Sequence, residues 1–151
     1  MATSLQAEIV CPRSPGSSLP LPARPRVVVV DNSPELLDVV CAVLQSQYEA
    51  EVVGQAADGG EALHVVAMLR PDLVIMDVHM PKVDGFVAAS MISRRYPGTA
   101  VVLMSGDETP ELRAQAERCG AQGFVFKPNL AREFAGLFWP QRRDFLYPPR
   151  A

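Results

Sequence analysis

The stretch RVVVVDNSPELLDVVCAVLQSQ, residues 26–47, decides the fold. Val27–Val30 is an uninterrupted β-branched run, the pattern of a strand buried on both faces. Ser33 then offers an N-cap, Pro34 suits the first helical position, and Glu35 puts a favourable charge in the first turn. Leu36, Leu37, Val40, Cys41, Val43 and Leu44 follow at helical spacing to about Gln47. A doubly covered strand feeding an amphipathic helix is one unit of a parallel sheet.

The unit repeats outward from there. Ala50–Gln55 reads as a strand, and Asp58 with Glu61 resembles a capping box opening a helix through Leu63, Val66 and Leu69. Leu73–Met76 is a second fully apolar strand, followed by a loop and a helix from about Gly85 to Tyr96. Ala100–Met104 is another strand; Thr109 caps, Pro110 starts and Gly120 ends the next helix. Gly123–Phe126 is a last strand, and Leu130, Phe134, Leu137 and Phe138 predict a final helix stopped by Pro140. Five strands alternating with five helices predict a doubly wound α/β fold, a five-stranded parallel sheet covered on both faces.

Size and composition bound what such a chain can do. The 151 residues suit one domain with a real core. No apolar run reaches the length of a membrane span, no basic start leads a long apolar stretch as in a secretory signal, and the unpaired cysteines fit a reducing cytoplasm, the expected location. Cys11, Cys41 and Cys119 are odd in number and never form a CxxC pair, which argues against a disulfide scaffold or a zinc site. Residues 27–128 carry 7 basic and 14 acidic side chains, while both ends are slightly basic. An acidic body is a poor nucleic-acid binder, because that affinity comes largely from neutralising phosphates. Residues 1–25 hold five of the fourteen prolines among serines, predicting a flexible extension; 26–138 form the domain and 139–151 a tail.

The first polar residues after the apolar runs carry the chemistry. Asp31 and Asn32 follow the first strand, Asp77 the third, Ser105 the fourth and Lys127 the fifth. Open parallel sheets bind ligands beyond the carboxyl ends of their strands, so these side chains should share one rim. Converging carboxylates repel unless a cation neutralises them, and hard oxygen donors suit Mg²⁺. A carboxylate beside Mg²⁺, with an ammonium and a hydroxyl opposite, has the parts to accept a phosphoryl group.

The segments VVVVDN, PDLVIMDVHMPKVDGF, VVLMSG and FVFKP resemble the motifs of response-regulator receiver domains of two-component signalling, from about Arg26 to Leu137. The resemblance implies a flavodoxin-like receiver fold with Asp77 as phospho-acceptor. It further implies that Asp31, Asn32, Asp77 and the backbone carbonyl of His79 ligate Mg²⁺. Ser105 matches the switch hydroxyl, Lys127 the lysine that contacts the phosphoryl group, and Phe124 an aromatic switch whose ring moves inward on activation. The Lys127–Pro128 bond is expected to be cis on the same ground. The implied donor is a sensor histidine kinase or phosphotransfer protein. PDLVIMDVHMPKVDG and VVGQAADGGEAL look closest to receivers that precede helix-turn-helix domains. Only 23 residues follow Pro128, so the expectation is a single-domain regulator without a DNA-binding domain, acting on a downstream protein. It would not be an enzyme beyond slow self-dephosphorylation.

Asn32 departs from the family, whose acidic pair normally has a carboxylate there. An amide oxygen still ligates a hard cation but brings no charge, a loss on the order of 1–4 kcal/mol at surface-like dielectric. That keeps a degenerate, non-phosphorylated binding module open as an alternative. An aspartyl-nucleophile phosphatase is a further rival, but such enzymes need an acid where this chain has His79. Singly, Asp31 before Ser33-Pro34 could be a turn former, Met80-Pro81 and Asp84-Gly85 are turn chemistry, and the His64 and His79 side chains lack a third metal ligand. Cys41 and Cys119 are expected to pack, and Gly54, Gly59 and Gly60 form no nucleotide-binding pattern. Trp139, Phe145 and Tyr147 with Arg142 and Arg143 could cover the core or form a docking or homodimer surface.

Overall fold

The computed structural model describes residues 21–138. Its strands are β1 (Arg26–Val30), β2 (Glu51–Ala56), β3 (Leu73–Asp77), β4 (Ala100–Ser105) and β5 (Gly123–Phe126). Its helices are α1 (Pro34–Gln47), α2 (Gly59–Leu69), α3 (Gly85–Arg95), α4 (Pro110–Arg118) and α5 (Leu130–Phe138). All strand pairs are parallel, in the order β2-β1-β3-β4-β5. The chain turns back at β1 and crosses to β3, so the strand order reverses between those two strands.

Side chains alternate across the sheet as the pleat demands. Val27, Val29, Leu73 and Ile75 pack with α1 and α5; Val28, Val30, Val74 and Met76 pack with α2, α3 and α4. Phe134 of α5 is fully buried, and Tyr48 after α1 stacks on Phe138 at 4.7 Å between centroids. Among the described residues no helix is long and apolar enough to cross a membrane.

The predicted caps form. Ser33 accepts from the Leu36 amide, Asp58 from the Glu61 amide at 2.8 Å, and Thr109 from the Leu112 amide at 3.1 Å. Glu61 reaches back to the Ala57 amide at 2.8 Å, closing the box one residue earlier than its usual partner. Gly120, at φ 94°, follows α4 and its Cys119 cap in the left-handed region that favours glycine.

Several expectations need correction. β2 runs one residue later than Ala50–Gln55, because the Glu51 amide takes the Pro25 carbonyl as its first partner at 2.8 Å. Leu21 also packs on the core and Pro25 is buried, so contact with the domain begins before Arg26. No described peptide bond is cis, so Lys127–Pro128 is trans. Lys127–Asn129 forms a 3₁₀ turn leading into α5. A helical turn is built from trans peptides, and proline at its start gives up an amide that would have no partner there. Cys41 and Cys119 both pack as expected: Cys41 is buried, and Cys119 lies half-buried against the core at the end of α4, its thiol donating to the Ala116 carbonyl. The expectations for the Pro-rich start, the residues after Phe138 and Cys11 lie outside the described residues, apart from Leu21–Pro25.

Candidate phosphoryl-acceptor site

Asp31 follows β1, and Asp77 ends β3, its neighbour across the strand-order reversal. Because the register aligns Val30 with Met76, the two carboxylates emerge side by side. Lys127, entering from the end of β5, puts its ammonium against both: Nζ lies 3.0 Å from Asp31 Oδ2 and 3.3 Å from Asp77 Oδ1. Both aspartates are buried. Three of the five residues singled out at strand ends therefore meet directly, although they are 46 to 96 positions apart in the chain.

Each Asp31 oxygen has its own task. Oδ1 accepts from the Ser33 amide at 2.8 Å, the turn that delivers Ser33 as the cap of α1, and Oδ2 takes the Lys127 ammonium. The turn role and the site role thus coexist in one carboxylate. Asp77 Oδ1 accepts from Lys127 and from the His79 amide at 3.4 Å. Among the described residues Oδ2 of Asp77 has no protein donor, so it is the oxygen with lone pairs to spare.

Burial pushes the Asp77 carboxyl above its ordinary pKa and the Asp31 carboxylate adds to that rise, while Lys127 and the His79 amide oppose it. A poorly hydrated carboxylate is a better nucleophile than one in bulk water, because less solvent must be stripped before attack, while its ion pair with the ammonium tempers that gain.

Ser105, Asn32 and His79 lie at the same strand ends, while Phe124 and His64 lie elsewhere. Ser105 closes β4 next to β3 and is fully buried; its hydroxyl accepts from the Asp107 amide at 3.0 Å. Asn32 and His79 are exposed at the rim beside their aspartates. Among the described residues no three His, Cys, Asp or Glu side chains gather to hold a metal. The Phe124 ring is already mostly buried, packed with the α2–α3–α4 side of the core. His64 is exposed on α2.

Glycine brings the loop after β3 close. A Cβ at Gly85 would lie 2.3 Å from the Asp77 carbonyl oxygen and 2.7 Å from Val78 Cα, so only glycine lets α3 start against the Asp77 backbone. The sequence showed Asp84-Gly85 only as a turn. It also gave no sign of Arg113, whose guanidinium reaches Glu108, Glu133 and the face of Phe124. A lone Arg inside a helical pattern carries no motif, and its partners come from three other segments.

The chain matches the response regulator receiver domain family over residues 27–136. It is 36% identical over 105 residues to protein-glutamate methylesterase/protein-glutamine glutaminase 2 of Methanospirillum hungatei, covering 68% of this chain and 30% of that protein. It is 32% identical over 108 residues to the uncharacterized transcriptional regulatory protein YxjL of Bacillus subtilis, covering 72% of this chain and 50% of that protein. The chain thus spans between about a third and a half of the length of these relatives. Among solved structures, the signal receiver domain of NarL from Mycobacterium tuberculosis superposes with a TM-score of 0.69 at 35% identity, over 74% of this chain and 90% of that one. The similarity covers the whole sheet and every strand end that carries a site residue. The chain belongs to the response-regulator receiver domain family of two-component signalling.

Proposed function

We propose that Asp77 accepts a phosphoryl group from a phosphohistidine on a sensor histidine kinase or phosphotransfer protein, and that the modified chain switches a surface for a downstream protein. The observation that carries this reading is the single Lys127 ammonium shared by the Asp31 and Asp77 carboxylates at the reversal of strand order.

In the transfer, an Asp77 oxygen forms a bond to phosphorus while the donor's P–N bond breaks, and the departing imidazole takes up a proton. Oδ2 suits the attack because Oδ1 is already engaged. Lys127 then lies beside the charge developing on the phosphoryl oxygens, and Ser105 is near enough in the fold to turn its hydroxyl toward them. The converging carboxylates fit a hard divalent cation: Asp31, Asp77, the Asn32 amide and the His79 carbonyl would hold Mg²⁺. When bound, Mg²⁺ would offset the charge of both the acceptor and the incoming phosphoryl group. The new charge of about −1.5 to −2 at one rim is the drive for the switch.

The output we propose is contact with a downstream protein, without enzymatic turnover by the receiver domain itself. The relatives named a methylesterase/glutaminase and an uncharacterized transcriptional regulatory protein are matched over 30% and 50% of their lengths. Incubation with acetyl phosphate and Mg²⁺, and separately with a phosphorylated histidine kinase, tests the reading by intact mass. A one-phosphoryl adduct absent from Asp77→Asn is expected. No adduct from either donor would leave the degenerate binding module suggested by Asn32.

A further inference from the structure

We infer that Arg113 is a positioning residue: it clasps the segment after Ser105 to β5 and α5 and so sets how readily the resting site gives way to the phosphorylated arrangement. The inference rests on reading Asp77 as the acceptor.

Four elements meet at this one guanidinium. Arg113 projects from α4, and its Nε donates to Glu108 Oε2 at 2.9 Å, with Nη2 contacting the same oxygen. Nη2 also faces Glu133 Oε1 of α5 at 3.9 Å, and the guanidinium carbon lies 4.9 Å from the centroid of the Phe124 ring on β5. Glu133 in turn accepts from the Phe126 amide at 3.3 Å. Glu108 is tied back to the site, since the preceding Asp107 amide donates to Ser105 Oγ. A series of contacts therefore runs from the Ser105 hydroxyl at the end of β4 to β5 and the last helix. A planar guanidinium is the side chain suited to this, because it can pair in its plane and stack on a ring through its face.

The clasp is also built to release. Arg113 is 44% exposed and Glu108 38%, so each ion pair is weak. Ser105 is fully buried, and turning its hydroxyl toward a phosphoryl group draws it off the Asp107 amide, which loosens the loop holding Glu108. Phe124, already packed in the core under the guanidinium, then loses that cover. A ligand that needs a fractionally populated state binds with an affinity reduced by that fraction, so loosening the clasp should tighten binding.

Titration with beryllofluoride and Mg²⁺, followed by ¹⁹F NMR, tests this on the full chain. Arg113→Ala should lower the half-saturating concentration about three- to tenfold, Glu108→Gln should act in the same direction, and Arg113→Lys should fall between Ala and wild type. Amide hydrogen exchange supplies a second reading that needs no phosphoryl mimic. Arg113→Ala should speed exchange at both Asp107 and Phe126, on either side of the clasp. Unchanged half-saturation in Arg113→Ala and Glu108→Gln, both folded, overturns the inference, as does faster exchange confined to α4. Failure of the wild type to bind beryllofluoride would count against Asp77 as acceptor, and the exchange data would still decide the clasp.

Discussion

Replacing Lys127 by Met removes the only cation touching Asp31 and Asp77 among the described residues and keeps most of the side chain's apolar stem. At an effective dielectric of about 20, contacts of 3.0 and 3.3 Å are each worth roughly 5 kcal/mol of gross attraction. Most of that is cancelled by the cost of drying three charges, although Lys127 keeps 21% of its side-chain surface while the carboxylates keep 1% and 7%. Breaking a buried ion pair from one side costs about 3–5 kcal/mol; for a partly wet ammonium we expect about 2–4 kcal/mol. Urea unfolding with a slope of roughly 2 kcal/mol per M should then show a midpoint lower by about 1–2 M in EDTA-containing buffer. The diagnostic step is the second substitution. Asp77→Asn in the Lys127→Met background should return at least about 1 kcal/mol more than it does in the wild type, because it relieves carboxylate repulsion that Lys127 otherwise offsets. A loss below about 0.5 kcal/mol, or equal effects of Asp77→Asn in both backgrounds, would refute the shared-ammonium account.

Asp77→Asn alone should raise stability at neutral pH. Burial raises the folded-state pKa of Asp77, so its charge destabilises the fold above that pKa, and the penalty fades as pH falls through the folded and then the unfolded value. Urea midpoints of the two proteins should therefore converge in acid; a gap that widens there contradicts the sign. Asn32→Asp should tighten Mg²⁺ binding about ten- to a thousand-fold by isothermal titration, restoring the charge that the amide lacks; equal affinities would show that Asn32 lies outside the ligand set. Gly85→Ala should cost about 1–3 kcal/mol by overpacking and slow acceptance at Asp77, since its Cβ would strike the Asp77 and Val78 backbone; unchanged thermal unfolding and phosphorylation rates would speak against that close approach. Phe134→Ala should cost about 3–5 kcal/mol by urea unfolding, the ring being wholly buried between α1, α5 and the sheet.

Local chemistry was legible because it acts within a few residues. The Val27–Val30 run, the Ser33, Asp58 and Thr109 caps and the prolines at 34 and 110 each read correctly, since a cap or a buried strand needs only its neighbours to be recognised. The strand-end residues Asp31, Asp77, Ser105 and Lys127 were legible for a related reason: each interrupts an apolar run, and a parallel sheet sends every such interruption to the same rim. The Lys127–Pro128 geometry was misjudged because the resemblance says nothing about the 3₁₀ turn that this chain forms there.

The order of hydrophobic and polar residues along the chain thus determined which elements form and which side chains reach the rim, because periodicity and capping are short-range. Which of those side chains touch was decided only by tertiary structure. That Lys127 serves both aspartates, that Asp31 divides its oxygens between a turn and an ion pair, and that Arg113 gathers Glu108, Glu133 and Phe124 all depend on register and helix packing. Contacts a few ångströms long between residues far apart in the chain leave no local pattern, since only the packed sheet and its helices bring the partners together.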